Sequence, residues 1–495
     1  MQIGLSLLEA VRNYRIELGI FAGTILSTLF TLTLSALRFP NDDQFILYRY
    51  IDNIAYGHGF VYNIGEHVLG STTPLFTLIA AAIKYVFIHV STPDVVAGIN
   101  TVFLAIGAVL FYKLCLKYMS RHYALCAVLV FILNLTRTIQ ESMESTLFIL
   151  LLLLFLLYLF EGRFSRSSVV LALVLLTRPD AGIIVALTTL YWYQKVGFEK
   201  TVRLLCLLII TTLPWLIFAT LYFGNFVPQS LLTKLHAAQI YNLPALQATK
   251  IQAAHLSKIY WGKLFDPDNI PLQITFNLLP FLAVVALGIK QKINKDNWIL
   301  AAIPITYVLL FALSNPLMFP WYLSQVESFW ILLSFLGVVA LLEKTNRSGV
   351  HILLLCLLLL GPTIAWARNA TTTNPGSKMQ AFAAATYIRS HMQPGDSIGL
   401  ADIGIVGYHT NAYIADFIGL ITSDSVAFYG HAKECRPKDK LHVIPPLLIE
   451  YWHPTWVVTG YDYGGWSCSP GYEWFLAHYR VAQKTKNTTI WRRVD

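Results

Sequence analysis

The sequence is poor in charged residues, and this scarcity limits what the chain can be. Only 13% of its 495 residues are Asp, Glu, Lys or Arg, whereas 56% are hydrophobic and the mean hydropathy is +0.57. Because a soluble domain carries roughly 25% charged residues, we predict an integral membrane protein. The net charge is +9, but the basic residues form neither a single patch nor a stripe interleaved with aromatic residues. This distribution argues against nucleic-acid binding.

Cysteine is also scarce, with six in the whole chain. Their spacing matches no metal site, and four of them lie in or at the ends of apolar runs, where a small buried thiol needs no special role. Cys435 and Cys468 lie in the polar C-terminal part. If that part lies outside the cytoplasm, a disulfide between them is one of two open alternatives.

Two further absences concern how the chain is organised. The first apolar run, Leu18 to Leu37, is too long for the core of a signal peptide, and no small-residue cleavage site follows it. It is therefore predicted to be an uncleaved anchor. No internal repeat is present, which argues against transporters built from duplicated halves.

The apolar runs define a membrane topology once short basic clusters are placed on the cytoplasmic side. The run Pro74 to Ile88 is only about 15 residues long and contains a lysine, so it is short for a crossing. Because counting it as a span breaks the alternation of basic clusters, we predict that it is a helix lying on the outer face of the bilayer. About eleven spans remain, with the N-terminus inside and the C-terminus outside, near residues 17–37, 94–116, 121–136, 145–161, 166–177, 180–194, 203–223, 272–289, 296–313, 323–343 and 349–367.

Two of these spans are short and meet at the sequence Arg-Pro-Asp, residues 178–180. Proline interrupts helical hydrogen bonding and disfavours helix in the residue before it. A tight turn facing the outer side is therefore predicted at this point.

Three large segments are predicted on the outer face: residues 38–93, residues 224–271, and everything after Arg368. Beyond Gly376 the hydropathy falls, and the pattern becomes one helix, Met379 to Met392, followed by short strands. The predicted strands are Ser397–Asp402, Ala412–Asp416 and Thr455–Gly460. The predicted fold class is thus a polytopic α-helical membrane protein, with a transmembrane domain of residues 1–368 and a small α/β domain of residues 369–495.

Asp42 and Asp43 stand only a few residues beyond the first predicted span. Paired carboxylates near hydrocarbon are unfavourable, because each must stay hydrated or find a partner. One interpretation is local: aspartate is a preferred N-cap, and acidic residues favour a helix N-terminus. The other is chemical, since a carboxylate can remove a proton from a hydroxyl. Both can hold together, with one aspartate capping and the other reacting.

Other ionisable residues also lie just beyond predicted span ends on the outer face, and we expect them to converge on one cavity. Cations hold phosphate well, so this set suits a reaction on a phosphate-bearing substrate held in the membrane. The set comprises Asp42, Asp43, Arg49, Asp52, Glu66, Arg137, Glu141, Glu144, Arg178, Asp180, Lys234 and His236.

At several points the sequence resembles bacterial GT-C glycosyltransferases, specifically the arabinofuranosyltransferase-like group that includes the mycobacterial terminal β-(1→2) enzyme and its Gram-negative relatives. The longest matches are DDQFILYRY (42–50), NIAYGHGFVYNIGEHVLGSTTPL (53–75) and ADIGIVGY with DFIGL (401–408 and 416–420). Shorter ones are SMESTLF (142–148), TRPDAG (177–182), YFGNFVPQSLLTK (222–234) and FPWY (319–322). The resemblance therefore spans nearly the whole chain.

This resemblance implies an inverting enzyme of the bacterial inner membrane that works on the periplasmic side. It would take a sugar, with D-arabinofuranose favoured and a hexose such as mannose or galactose as the alternative, from a polyprenyl phosphate. The acceptor would be a glycan, a lipopolysaccharide or a glycoprotein. The C-terminal α/β domain would then be periplasmic, and the helix near Pro74 would form one wall of a lipid-facing groove.

The resemblance also implies roles for individual residues. The acidic motif of the first outer loop supplies the catalytic base, carried onto Asp42 and Asp43, with Asp42 favoured. Asp43 would orient the base or help to hold a divalent cation (Mg, Mn or Ca), which some GT-C enzymes use.

Contacts to the donor phosphate and sugar are assigned to six further residues. A departing phosphate needs positive charge, and an arginine can hold two of its oxygens at once. Lys234, Arg178 and Arg49 are predicted to provide that charge, with His58 as a further candidate. Glu144 and Asp180 are predicted to hold sugar hydroxyls or to orient the cations.

Each assignment has a structural alternative that the sequence leaves open. Lys234 and Arg178 suit the membrane interface, where long cationic side chains extend towards water. Glu144 suits the start of a helix, and His58 between two glycines suits a turn. At the level of the whole chain, the rivals are a transporter or flippase of lipid-linked sugars and a non-catalytic sensor.

Overall fold

The structure is a computed structural model. It describes residues 2–34, 41–141, 143–233, 246–261, 278–314, 322–343, 376–425, 446–460, 471–485 and 488–494, with positions 316, 359, 362–364 and 427–428. The chain divides into two compact units, each described by itself. The first unit contains Met1–Arg38, Val96–Leu213 and Pro244–Thr373, and the second contains Phe39–Val95, Pro214–Leu243 and Asn374–Asp495.

Most of the described residues before position 343 are helical. The helices α2 and α3 and the last ten residues of α8 belong to the second unit, and the others fall largely or wholly in the first. In chain order they are α1 (Gln2–Leu34), α2 (Asp42–Ala55), α3 (Pro74–Val86), α4 (Thr92–Leu116), α5 (Arg121–Glu141), α6 (Ser145–Phe160), α7 (Phe164–Thr177), α8 (Gly182–Phe223), α9 (Gln247–Trp261), α10 (Leu279–Lys292), α11 (Ile299–Ser314) and α12 (Ser324–Leu342).

The interior of the first unit is formed by helices that are apolar on every side. In α6 the sequence STLFILLLLLFLLYLF leaves almost no residue exposed, and nearly every residue of α12 is buried. Glycine lets α10 and α12 approach closely, because a Cβ atom on Gly288 would lie 2.2 Å from the Leu333 carbonyl oxygen. A Cβ atom on Gly337 would lie 1.9 Å from the Val284 carbonyl oxygen. Small residues at such a crossing are typical of helices packed within a membrane.

Several helices have the length and composition needed to cross a membrane. Within the described residues these are the segments Tyr14–Thr33, Thr92–Leu116, Pro179–Phe223 and Ser324–Leu342. Shorter apolar helices lie at Arg121–Thr136, Ser145–Phe160, Phe164–Thr177 and Ile299–Ser314. The predicted helical membrane architecture is therefore present, whereas the count of eleven spans and the orientation stay predictions. The predicted span 349–367 falls almost wholly outside the described residues.

The turn predicted at residues 178–180 is present in the first unit. Helix α7 ends at Thr177, Arg178 is extended (φ −154°, ψ 133°), and a short 3₁₀ helix, Pro179–Ala181, leads into α8. Helix α8 is itself interrupted, because Gly197 leaves the helical region (φ 79°, ψ 176°). The chain therefore forms two helical stretches on either side of Gly197, close to the two spans predicted there.

The apolar run after the first outer segment forms α3, in the second unit. Its internal lysine, Lys84, is buried. The buried Nζ is stabilised because it donates to the carbonyl oxygens of Ile88 (2.8 Å) and Val90 (2.6 Å) just beyond the helix. Tyr85, Val86 and Phe87 are exposed at the same end. The predicted helix is confirmed, and an exposed apolar tip of this kind fits its predicted position at a bilayer surface.

The C-terminal part of the second unit is a small α/β domain. Its elements are α13 (Gly376–His391), β1 (Ser397–Leu400), α14 (Ile403–Thr410), β2 (Tyr413–Asp416), α15 (Pro446–Trp452), β3 (Trp456–Gly460), α16 (Tyr472–His478), β4 (Tyr479–Lys484) and β5 (Thr488–Arg493). The strand order is β2-β1-β3-β5-β4. Strands β2, β1 and β3 are parallel, whereas β5 is antiparallel to both β3 and β4.

The core of this unit joins the α/β domain to the first outer segment of the chain. Ile398, Leu400 and Ile414 from the parallel strands pack in one buried cluster with Tyr50 of α2 and Tyr62 of the loop that follows it. The predicted helix and three predicted strands are confirmed within two or three residues. The sequence reading missed the helices α14, α15 and α16 and the strands β4 and β5. The first outer segment and the C-terminal domain thus share one hydrophobic core.

Candidate functional site

Asp42 stands at the first position of α2, but its carboxylate is bound to another helix. The amide of Gly404 donates to Oδ2 and the amide of Ile405 donates to Oδ1, each at 2.7 Å. These two amides lie in the first turn of α14, whose N-cap residue Asp402 makes no capping hydrogen bond from its side chain. The first amides of a helix have no partner within that helix, so Asp42 supplies it from 362 residues away along the chain.

Two glycines of α14 allow this close approach. A Cβ atom on Gly404 would lie 1.8 Å from the main-chain oxygen of Asp42, and one on Gly407 would lie 2.1 Å from the Tyr62 hydroxyl. Real Cβ atoms do not approach other atoms so closely. The motif ADIGIVGY therefore carries glycine where α14 packs against α2 and Tyr62.

The surroundings of Asp42 favour its protonated form. Burial is the largest cause and the negative charge of Asp402 is the next, and together they raise the pKa of Asp42 to about 8 although the two amides act in the opposite direction. An ordinary aspartate has a pKa near 3.9. A carboxyl group of this kind changes protonation state close to neutral pH.

Arg49 binds the other end of α14 and the residues just after it. Its Nη1 donates to the Gly407 carbonyl oxygen at 2.9 Å and its Nη2 to the Ala412 carbonyl oxygen at 2.7 Å. The guanidinium also lies 4.3 Å from the centre of the Tyr62 ring, and the side chain is only 4% exposed. Sequence analysis predicted a phosphate contact for Arg49, but its two terminal nitrogens are directed at main-chain oxygens.

Two polar residues of the loop after α2 complete this arrangement: Asn63, which the sequence reading did not single out, and Glu66, which it named among the ionisable residues of the outer face. The Asn63 amide side chain pairs with both main-chain groups of Ile414, accepting at 3.0 Å and donating at 2.9 Å. Its Nδ2 also donates to Oε2 of Glu66. The Oε1 of Glu66 accepts a hydrogen bond from the Tyr413 hydroxyl, with 2.6 Å between the two oxygens. The only sequence signal for Asn63 was its place inside the long motif 53–75. The partners of both residues in the α/β domain could not be predicted, because they lie more than 340 residues away.

A second polar cluster lies inside the first unit, where α6, α7 and α8 begin or end. Arg178 Nη1 donates to Glu144 Oε1 at 2.5 Å, while Nε and Nη2 each donate to the Asp180 carboxylate at 3.0 Å. The Arg178 guanidinium also lies 5.1 Å from the centre of the Tyr322 ring. Three residues that the sequence reading predicted to act together, Glu144, Arg178 and Asp180, are therefore in direct contact.

This cluster is buried and extends to α12. Glu144 is 3% exposed and Arg178 is 7% exposed. The Ser145 hydroxyl contacts the Ser324 hydroxyl and the Gln325 amide, both at 3.2 Å. Glu144 Oε2 is buried and has no hydrogen-bond partner among the described residues. A buried carboxylate oxygen without a donor is unfavourable, so it is a position where a substrate hydroxyl would be stabilised.

The remaining predicted site residues are more exposed or lie outside the described ranges. His58 is exposed between Gly57 (φ 82°) and Gly59 (φ 92°), as its alternative interpretation as a turn residue predicted. Asp43 is half-buried in the first turn of α2. Lys234 lies outside the described residues. Within the described ranges, no three His, Cys, Asp or Glu side chains are grouped as metal ligands would be.

Comparison with solved structures finds the same architecture in two enzymes. ArnT from Cupriavidus metallidurans, bound to undecaprenyl phosphate, superimposes with a TM-score of 0.61 and 11% identity, over 96% of this chain and 98% of ArnT. The apo oligosaccharyltransferase of Archaeoglobus fulgidus superimposes with a TM-score of 0.56 and 11% identity, over 90% of this chain and 70% of that protein. Both are GT-C glycosyltransferases. This chain has the GT-C fold.

Only the C-terminal part of the chain matches a family model. Residues 368–493 match a family model described as a domain of unknown function (DUF8728), and these residues include the whole sheet of the second unit. No curated protein matches the chain. The predicted resemblance to GT-C enzymes is confirmed at the level of the fold, and the arabinofuranosyltransferase-like assignment stays a prediction.

Proposed function

We propose that this protein is a membrane glycosyltransferase that moves a sugar from a polyprenyl phosphate to an acceptor hydroxyl with inversion. The observation that carries the proposal is the carboxylate of Asp42, fixed by two main-chain amides and with a pKa of about 8, in a chain that has the GT-C fold. A general base works best when its pKa lies near the operating pH. Asp42 meets that condition.

The proposed reaction is a single displacement in which Asp42 acts as the base. Each of its carboxylate oxygens accepts one amide proton and keeps a second lone pair, so the group is oriented and can still accept a proton. The acceptor oxygen bonds to the anomeric carbon while the bond from that carbon to the phosphate oxygen breaks. The acceptor proton moves to Asp42, and the polyprenyl phosphate leaves with the bonding electrons.

Positive charge on the departing phosphate is assigned chiefly to Lys234. All three guanidinium nitrogens of Arg178 donate to carboxylates, and the two terminal nitrogens of Arg49 donate to main-chain oxygens. The motif YFGNFVPQSLLTK, which ends in Lys234, supports this choice. Phosphate contacts by Arg49, Arg178 and His58 stay predictions that the geometry does not favour.

The cluster of Glu144, Arg178 and Asp180 is proposed to contact the sugar of the donor. Arg178 neutralises one of the two carboxylates and holds both of them in place. The Oε2 of Glu144, which has no hydrogen-bond partner among the described residues, is therefore held in one orientation. A carboxylate oxygen of this kind accepts hydrogen bonds from sugar hydroxyls. This assignment keeps the predicted role of Glu144 and gives Arg178 the role of positioning it.

The proposed mechanism assigns no step to a metal ion, and the carboxylate of Asp42 is oriented by two main-chain amides. A role for Asp43 in holding Mg, Mn or Ca stays a prediction.

The substrate identities and the location follow from the resemblance rather than from the geometry. We propose D-arabinofuranose as the sugar, with mannose or galactose as the alternative. The proposed acceptor is a glycan, a lipopolysaccharide or a glycoprotein at the periplasmic face of a bacterial inner membrane. The exposed apolar tip of α3 supports a position at the bilayer surface.

The test is a transfer assay with the purified full-length protein in detergent. Short-chain polyprenyl-phosphoryl arabinose, mannose and galactose are offered separately with a panel of synthetic glycoside acceptors, and products are analysed by mass spectrometry and NMR. We expect one donor to give a glycoside with an inverted anomeric configuration. Consumption of no donor, or retention of configuration, would contradict the proposal, and a hexose product would correct only the identity of the sugar.

A further inference from the structure

A polar cavity of about 380 Å³ lies inside the second unit, beside the second half of α2 and beyond the end of α14. Arg49 and Asp52 line it from α2, and Tyr408 and His409 line it from the last turns of α14. Helix α14 ends at Thr410, and the next residue, Asn411, adopts the left-handed conformation (φ 53°) that turns the chain into β2. Arg389 of α13 completes the wall.

The charges in this cavity do not balance. Arg49 and Arg389 are cationic, whereas among the described residues Asp52 is the one acidic residue that lines the cavity. Asp52 already accepts a hydrogen bond from the Thr92 hydroxyl and another from the Tyr408 hydroxyl, and it feels the charge of Lys84. The negative charge of Asp52 is therefore already compensated by these two donors and by Lys84. The two arginines give the cavity a net positive charge.

Arg49 makes this imbalance hard to explain by protein contacts alone. Its guanidinium is buried, yet no carboxylate lies within ion-pair distance among the described residues. Its partners in the described part of the chain are neutral carbonyl oxygens and the side-chain oxygen of Asn63, and its buried Nε has no hydrogen-bond partner there. A buried charge is normally paired, so an anion in the adjoining cavity would stabilise Arg49.

The position of the cavity relative to Asp42 indicates which substrate group would occupy it. Arg49 lies seven residues along α2 from Asp42, which is about 10 Å at the rise of an α-helix, and Asp52 lies farther along. In an inverting displacement the leaving phosphate lies on the side of the reacting carbon opposite the acceptor oxygen and its base, whereas the acceptor extends from the side of the base. An anion site on α2, the helix that carries Asp42, therefore suits the acceptor better than the donor phosphate.

We propose that this cavity binds an anionic group, carboxylate or phosphate, of an acidic saccharide acceptor. The proposal rests on the proposed glycosyltransferase function, which requires a second substrate reaching away from Asp42. Arg389 provides the accessible charge because it is exposed at the wall of the cavity. Arg49 provides buried charge behind it, and His58 and His409 add polar nitrogens to the lining.

The test measures binding without any donor, so it is independent of turnover. D-glucuronate, D-glucose 6-phosphate and neutral D-glucose are titrated into the purified full-length protein in detergent by isothermal calorimetry. Arg389→Glu is compared with wild type because it reverses the exposed charge, and Lys484→Glu is the matched control on exposed strand β4 of the same unit. Gel filtration and thermal unfolding confirm that both variants are folded.

We expect at least one anionic sugar to bind at least ten times more tightly than glucose, and Arg389→Glu to weaken that binding at least tenfold. Lys484→Glu should bind like wild type. The sugar that binds more tightly identifies the anionic group as carboxylate or phosphate. Equal binding of glucose, or unchanged binding in Arg389→Glu, overturns the proposal and leaves the transferase assay unaffected.

Discussion

Among single residues, Asp42 makes a structural contact and is also the proposed catalytic base. Its carboxylate caps α14 through two amides, and the same burial raises its pKa to about 8. The sequence suggested that one aspartate of the pair caps a helix and the other reacts. The predicted N-cap of the following helix is wrong, because Asn41 stands at the N-cap of α2 and both aspartates lie in its first turn. Asp42 instead caps α14, a helix of the C-terminal domain.

The raised pKa of Asp42 predicts how activity depends on pH. Only the deprotonated carboxylate can take the acceptor proton, so kcat/KM should rise with pH and level off above about 8. Below that value it should fall about tenfold for each pH unit. Initial rates between pH 5.5 and 9.5, with donor binding measured over the same range, check this. A profile that is flat from pH 5.5 upwards would rule out a base with this pKa.

Gly404 gives a second prediction at this scale. In Gly404→Ala the new Cβ atom would fall 1.8 Å from the main-chain oxygen of Asp42, so α14 must move away and both amide contacts lengthen. Overpacking of this kind costs about 1 to 3 kcal/mol, and transfer activity should fall with the melting temperature. Gly98→Ala is the matched control, because Gly98 lies in α4 with no atom within 4 Å of its Cβ position. Equal behaviour of the two variants would argue against the close packing of α2 and α14.

At the scale of elements, two helices distant in sequence run side by side in the second unit. The start of helix α14 contacts Asp42, and the carbonyl oxygen of Gly407 near its end contacts Arg49. Because Asp42 and Arg49 follow in the same order along α2, the two helices run in the same direction. In the first unit the ends of α6 and α7 and the start of α8 are joined by Glu144, Arg178 and Asp180. In each unit, charged groups are placed where a helix begins or ends.

The cluster of Glu144, Arg178 and Asp180 predicts that substitutions of two glutamates differ in their effect on the free energy of unfolding. Glu144→Gln removes the charge that faces buried Arg178, and a hydrogen bond between charged groups contributes about 1.5 to 3 kcal/mol. The free energy of unfolding should therefore fall by about 2 kcal/mol. Glu161→Gln is the matched control, since Glu161 pairs with Arg163 where both side chains are more than a third exposed, and such pairs contribute about 0 to 1 kcal/mol. Thermal unfolding in detergent compares the two, and equal losses would show that the buried pair is not special.

Individual elements could be predicted from sequence where the signal was local. The helix Gly376–His391 and the strands at Ser397, Tyr413 and Trp456 follow from periodicity and turn residues, and Pro179 marks the turn after α7. Helix α14 was missed because it has only eight residues, two of them glycines, which disfavour helix. Its stability comes from α2 and from capping by Asp42, and no local pattern records such a contact.

At the scale of the whole molecule, composition was the most reliable guide. A bilayer demands long apolar helices, so 56% hydrophobic residues and 13% charged residues predicted the membrane class, and the GT-C fold confirms it. The sequence also indicated candidate site residues, because acids and arginines are rare in such a chain, and three of them, Glu144, Arg178 and Asp180, are in contact in the structure. The partners of Asp42 and Arg49 could not be found, since Asp42 to Gly404 and Arg49 to Ala412 are contacts across more than 360 positions.

The proposed role of Asp42 as the base of a glycosyl transfer can be tested by comparing two substitutions. Asp42→Asn keeps the size of the side chain and removes its ability to take a proton, while Asp424→Asn changes an exposed aspartate of the same unit. With both variants folded, kcat for transfer from the active donor should fall more than about 100-fold in Asp42→Asn and stay at the wild-type value in Asp424→Asn. Transfer by Asp42→Asn at the wild-type rate would contradict the account.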